Sequence, residues 1–254
     1  MSAPPEQQPE RLLPDTWRRP VLGVLGGMGP AATVSFLDAL VRATPAAVDQ
    51  EHIDVVVLSH ASVPDRTARL LDPTLADPTD YLLRDLELLA RLGVDGAVIA
   101  CNTSHAFLAG LELPLPLLSI IEVGAQAAVA AARAADPSHP VVTVLATDGT
   151  LLSSVYQDAI TRRGVEVRLP DEAGQRRVMS LIYDGVKAGV DVPTDDFFAH
   201  VQELRRGDDA VLLGCTELSV LSEQALLEHR SLPPHVLDAQ AALVERVVQD
   251  FSIG

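Results

Sequence analysis

The sequence predicts an α/β protein made of two similar halves, each built on a central parallel sheet, with a cleft between them. Three observations predict it. Short apolar runs alternate with amphipathic stretches along the chain, which is the signature of βαβ units. A short pattern recurs, with VIACNT at 98–103 and LLGCTE at 212–217. Of the 254 residues 48% are hydrophobic but only 4% aromatic, so a sizeable core is available and is assembled from Leu, Val, Ala and Ile.

The elements follow in order. Residues 1–20 are rich in Pro, Gln and Glu, lack an apolar centre and read as a flexible tail rather than a secretory signal. Strands are predicted at 21–25, 53–59, 96–100, 141–146, 165–169, 210–214 and 236–237. Pro30 suits the first turn of a helix that shows Phe36, Leu37, Leu40 and Val41 on one side. Thr79 or Asp80 is expected to cap a helix carrying Leu82, Leu86 and Leu89, closed by Gly93. An amphipathic helix with Val178, Leu181, Ile182 and Val186 leads to Lys187. Thr194 is expected to cap a helix over 197–206, ended by Gly207. The turn at 26–30 is echoed at 147–150. The first half then spans 21–115 together with a C-terminal helix over 225–254, and the second half 116–224.

Charge and cysteine content narrow the function. A net charge of −16 argues against nucleic acid, whose phosphates need clustered cations. No run approaches the roughly 18 apolar residues that would span a bilayer, so the expectation is a cytoplasmic protein with no membrane partner. The two cysteines, Cys101 and Cys215, lie 114 positions apart. A structural disulfide is disfavoured in a reducing compartment, and no histidine spacing completes a zinc site, so no metal is expected. Two free thiols remain.

Both thiols sit where a strand gives way to a helix, on the side of a parallel sheet where ligands bind. Free amides at a helix start favour thiolate and anions. Two such turns facing each other suit inversion at a carbon centre, because one group must remove a proton from one face while a second delivers a proton to the other. Asn102, Thr103 and Thr216 are positioned to hold a carboxylate. The alternative is that the cysteines only fill space, as free cysteine often does. The stretch Gly27-Met28-Gly29-Pro30-Ala31-Ala32 fits a dinucleotide fingerprint in letters. The following strand, however, ends in Ser59 and His60 rather than in an acid. A tight turn lining the cleft, with Met28 as the contact residue, is the better use.

Arg66, in Ser62-Val63-Pro64-Asp65-Arg66-Thr67, is placed to grip a second carboxylate by its fork; an ion pair with Asp65 is the alternative. Of 19 basic residues 18 are arginine, and Lys187 is the only lysine. A lone ammonium on the cleft side suits the same carboxylate, unless it only complements a helix end. Arg66 and Lys187 together point to an acidic amino acid.

In order along the chain, GVLGGMGPAAT, ATPAAVDQEHI, PDRTA, ACNTSHAF, LATDGT with Tyr156, IYDGVKAG and GCTEL resemble the aspartate/glutamate racemase superfamily, and within it the aspartate racemase branch. The resemblance runs from Val21 to the C-terminus. It implies Cys101 and Cys215 as the acid/base pair. It also implies Asn102, Thr103 and Thr216 on the substrate's α-groups, and Arg66 with Lys187 on its side-chain carboxylate. A reaction without pyridoxal phosphate or any other cofactor, and a homodimer, are implied as well. One departure is Ser59-His60-Ala61-Ser62, where an asparagine-rich segment is common, and it bears on side-chain selectivity. His105 and Glu217 lie just beyond the cysteines and read first as ordinary helix-start polarity. Glutamate or broad-specificity racemisation, and a non-catalytic sensor of acidic amino acids, are the competing readings. A pyridoxal-phosphate enzyme would have to use Lys187, which lacks a nearby phosphate-cradling loop.

Overall fold

The computed structural model describes residues 12–207 and 209–252. Seven parallel strands form two sheets. β1 (Val21–Gly26), β2 (Asp54–Ser59) and β3 (Gly96–Ile99) make one sheet in the order β2-β1-β3. β4 (Val141–Leu145), β5 (Glu166–Arg168), β6 (Ala210–Leu213) and β7 (Val236–Asp238) make the other in the order β5-β4-β6-β7. Strands β1, β3 and β6 are buried at every position, as strands covered by helices on both faces must be.

The helices are α1 (Pro30–Ala43), α2 (Arg66–Leu71), α3 (Thr79–Leu92), α4 (Ile120–Ala135), α5 (Asp148–Leu152), α6 (Val155–Thr161), α7 (Glu172–Ser180), α8 (Thr194–Leu204), α9 (Thr216–Leu227) and α10 (Ala239–Phe251). α7 runs on into a π-helical turn over Leu181–Val186, so the helix expected to reach Lys187 is widened in its last turn. α3 buries Leu82, Leu86 and Leu89 and stops at Gly93 in the left-handed region, where a glycine carries no Cβ penalty.

Several expectations are corrected. Pro78 rather than Thr79 or Asp80 precedes α3, and Asp77 accepts from the Thr79 amide at 2.8 Å instead. Thr194 is the first residue of α8, not its cap; its hydroxyl donates to Glu228 at 2.5 Å. Part of the tail expectation, 1–11, lies outside the described residues. In the remainder, Leu13 and Trp17 pack on the core of the first half and the Leu13 amide donates to Leu92 at 2.9 Å, because two large apolar side chains gain more from burial than the chain loses in freedom. Residues 225–254, expected as one helix on the first half, divide. β7 extends the second sheet beside β6, and α10 packs on both α1 and α4. A single apolar core joins β1, α1, α4, β4, α6 and α10, so both halves share it.

Candidate active site

The strand ends decide where the site forms. β1 finishes in Gly26-Gly27. Gly27 has φ of +89°, and a Cβ there would lie 2.4 Å from the His60 amide nitrogen; only glycine lets the turn pass so close to the end of β2. The Thr33 hydroxyl accepts from the Gly27 amide at 2.8 Å, which fixes the turn and directs Met28 inward. Cys101 lies two residues beyond the end of β3 and Cys215 two beyond the end of β6; both are free and buried.

All eight residues singled out in the sequence meet in one inner chamber, lined by Met28, Arg66, Cys101, Asn102, Thr103, Lys187, Cys215 and Thr216, with Asp65, Thr67, Thr147, Tyr183 and Glu217 beside them. Its free volume is about 10 Å³, room for about one water. An outer chamber of about 540 Å³ adjoins it, and the two share Met28, Asp65, Arg66, Lys187 and Glu217. These five residues form the partition between solvent and thiols. A substrate entering from the outer chamber must displace some of them.

Asn102 is 3% exposed and ties the halves together. Its Oδ1 accepts from the buried Tyr156 hydroxyl, leaving Nδ2 buried without a protein partner. Burial, and then the neighbouring acidic groups Asp238 and Cys215, push the Tyr156 phenol well above its ordinary range and keep it protonated. Thr103, Thr147 and Thr150 form a closed triangle of hydroxyl contacts at 2.8 to 3.1 Å, and Thr67 donates to Thr147 at 3.2 Å. Residues from both halves thus make one buried hydroxyl network under the chamber floor, satisfying groups that would be costly alone.

Arg66 is 8% exposed. Its guanidinium donates to the carbonyls of Val63, Pro64 and Met28 at 3.1, 2.9 and 2.8 Å, and Nε is buried without a partner. No ion pair with Asp65 forms; that carboxylate caps α2 by accepting from the Ala68 amide at 2.7 Å. The Lys187 ammonium lies 2.8 Å from Glu217 Oε1 and 5.5 Å from the Tyr183 ring centroid. Burial works against its charge, but Glu217 outweighs burial and holds the ammonium above the ordinary lysine range.

Cys215 departs from the sequence expectation of a helix-favoured thiolate, and Cys101 from the expectation of an α-helix start. Cys215 does precede α9. Burial first, and then the neighbouring Glu217 carboxylate, nevertheless push its thiol well above the ordinary range. Cys101 leads into a 3₁₀ turn over Thr103–Phe107, not an α-helix, so it faces a much shorter dipole. His105 Nδ1 lies 3.1 Å from the Cys101 carbonyl, and burial pulls its pKa down to about 4; it is a neutral, structural ring. His60 pairs with Asp85 at 2.7 Å rather than entering the chamber. Glu217 is the residue the sequence undervalued. It is 4% exposed and touches Cys215, Thr216 and Lys187; its only signal was a position two residues past a cysteine. Among the described residues no group of three or more His, Cys, Asp or Glu could hold a metal ion, and no helix is long and apolar enough to cross a membrane.

The profile of the Asp/Glu/Hydantoin racemase family matches residues 25–247. The chain is similar to the broad specificity amino-acid racemase RacX of Bacillus subtilis (strain 168), with 25% identity over 247 residues, 91% of this chain and 98% of that protein. It is similar also to the glutamate racemase of Syntrophus aciditrophicus (strain SB), 32% identical over 180 residues, 66% of this chain and 61% of the relative. Among solved structures, Picrophilus torridus aspartate racemase superposes with a TM-score of 0.72 at 27% identity, covering 91% of this chain and 94% of that one. Glutamate racemase isoform RacE1 of Bacillus anthracis superposes at 0.61 with 19% identity over 91% and 81%, a likeness of fold.

Proposed function

This chain belongs to the Asp/Glu/Hydantoin racemase family, and from that premise we propose that it racemises a small acidic amino acid, aspartate foremost, by passing protons between the α-carbon and two cysteines. The observation that carries this reading is that Cys101 and Cys215, 114 residues apart in sequence, follow strands of different sheets and line one small chamber.

In this mechanism one sulfur, as thiolate, removes the α-proton; the C–H electron pair stays on the α-carbon. The other sulfur, as thiol, delivers its proton to the opposite face, and the roles reverse for the mirror-image substrate. Asn102 Nδ2, buried without a protein partner, is the donor best placed for the α-carboxylate, and the hydroxyls of Thr103 and Thr216 complete that end. Arg66 through its unpartnered Nε, and Lys187, take the side-chain carboxylate. Met28 closes the chamber against the turn after β1. A substrate that fills this chamber displaces its water, so each charge contact inside it counts for more than in solution. No step calls for pyridoxal phosphate. A cytoplasmic homodimer is part of the same proposal.

Broad acceptance of amino acids is a second reading, and one observation favours it. Three of the four terminal N–H groups of Arg66 already bond carbonyls and Lys187 is paired with Glu217, so the grip on a second carboxylate is less than two free cations would give. Chiral chromatography of each L-amino acid after incubation with the protein decides between them. Aspartate converted far faster than other amino acids supports the first reading; similar rates for neutral amino acids support the second. Loss of all conversion in both Cys101→Ala and Cys215→Ala is expected, and full activity in either variant would end the two-thiol mechanism.

A further inference from the structure

On the two-thiol reading above, we propose that Glu217 is a positioning residue for Cys215: a buried carboxylate that receives the thiol's hydrogen bond, keeps that sulfur protonated in the resting protein and leaves Cys101 to accept the first α-proton. Cys215 Sγ donates to Glu217 Oε2 at 3.0 Å, while Oε1 is held at 2.8 Å by the Lys187 ammonium. The carboxylate is also built in from the far side. Gly29 has φ of −110° and ψ of 130°, a conformation open to any residue, yet a Cβ there would lie 2.7 Å from Glu217 Oε1. Glycine stands at this position to make room for the carboxylate, not for backbone freedom.

The chemistry sets the direction. A sulfur at the start of α9 would by itself lean toward thiolate, because the free amides there stabilise negative charge. An ionised carboxylate only accepts hydrogen bonds, so it favours S–H and repels S⁻. Lys187 makes a buried carboxylate tolerable by pairing with it, since an unpaired one would be expensive. Burial and Glu217 raise the Cys215 thiol together, with Lys187 opposing them in part. The other titratable or charged groups facing this sulfur or lining its chamber are Tyr183, Tyr156, Cys101, Asp65 and Arg66.

Among the described residues no carboxylate bonds the Cys101 sulfur. The polar side chain beyond it, His105, bonds the Cys101 carbonyl and not its sulfur. The two halves are therefore alike in fold but unlike in charge at their thiols. The enantiomer whose α-hydrogen points at Cys101 is the one whose deprotonation this arrangement favours. Its C–H bond breaks as the Cys101 S–H bond forms, and the Cys215 S–H bond breaks as its proton joins the opposite face of the α-carbon. Turnover in that direction leaves the negative charge on Cys215 beside Glu217, and the resting state returns when Cys215 takes a proton from solvent and Cys101 releases one.

The chain has only two cysteines, so protein labelled with [3-¹³C]cysteine gives two Cβ resonances whose shifts report ionisation directly, with Cys101→Ala to assign them. In the unsubstituted protein the Cys215 resonance is expected to titrate above the ordinary thiol range. Glu217→Gln moves its midpoint down toward that range, and Lys187→Met moves it further up. Gly29→Ala, which crowds the carboxylate away without removing it, also moves it down and serves if Glu217→Gln does not fold. An unmoved Cys215 midpoint in both Glu217→Gln and Gly29→Ala would overturn the proposal. Racemisation by Cys215→Ala would instead end the two-thiol mechanism and leave the titration result standing, so the two failures are distinguishable.

Discussion

Tyr156→Phe removes one oxygen and tests how the halves cooperate. Tyr156 is fully buried in the shared core, and the backbone is shaped around it. A Cβ on Gly214 would lie 2.8 Å from its ring, and one on Gly124 would lie 3.3 Å from its hydroxyl. That hydroxyl donates to Asn102 Oδ1, joining α6 of the second half to the turn that follows Cys101. Phenylalanine keeps the ring packing and leaves Oδ1, 3% exposed with its residue, without a donor. An unsatisfied buried acceptor costs about 2 kcal/mol, which in a chain of this length lowers the melting temperature by about 4–8 °C. Asn102 is then free to rotate, and Nδ2 loses its aim at the substrate carboxylate. One misdirected hydrogen bond of about 1.4 kcal/mol lowers kcat/KM by about tenfold. Calorimetry and chiral chromatography measure the two effects. A variant that melts within about 1 °C of the parent and turns over equally fast would refute the claim that this bond links the core to the site.

Two further outcomes follow from the same geometry. Asp238 caps α10 by accepting from the Gln240 amide at 2.8 Å and from Ser219 at 2.6 Å, and burial raises its pKa from 3.8 to about 6. Between those values the folded state holds a proton that the unfolded state has released, so this residue's contribution to stability declines as pH rises from about 4 to 6, by on the order of 3 kcal/mol at most. Asp238→Asn retains an acceptor and should lose that decline in denaturant titrations at pH 4 and pH 8; a constant difference from the parent across that span would contradict it. Arg66→Ala should weaken aspartate binding by about 2–4 kcal/mol, roughly 30- to 1000-fold in KM, and lower stability as well, because three carbonyls lose their donor. Unchanged aspartate kinetics would show that Arg66 only braces the turn.

Much of the fold was legible because it is written in local periodicity. All seven strands were placed within a residue or two of their ends, and Gly93 and Pro30 behave as isolated residues should. Both cysteines were found from the strand-then-polar pattern around them. What the sequence could not convey is which residues distant in the chain meet. Tyr156 to Asn102, Thr103 to Thr147 and Thr150, and Glu217 to Lys187 are contacts between residues 30 to 54 positions apart, and no spacing rule predicts them. Thiolate character at Cys215 was misjudged because the helix start is visible in sequence while the carboxylate folded against it is not. Leu13 and Trp17 were overlooked since two apolar residues in a proline-rich stretch give no period. The caps of α3 and α8 slipped by one or two positions because Pro78 and Pro193 displace the threonines into the first turn.

The central claim is that two sulfurs address opposite faces of one α-carbon, and the fate of that carbon's hydrogen tests it most directly. L-aspartate incubated with the protein in deuterated water, sampled while conversion is small, should give D-aspartate carrying deuterium at the α-carbon alongside recovered L-aspartate that carries almost none. Recovered L-aspartate that gains deuterium as fast as the D-form appears would mean a single group returns protons to both faces, and the account would be wrong.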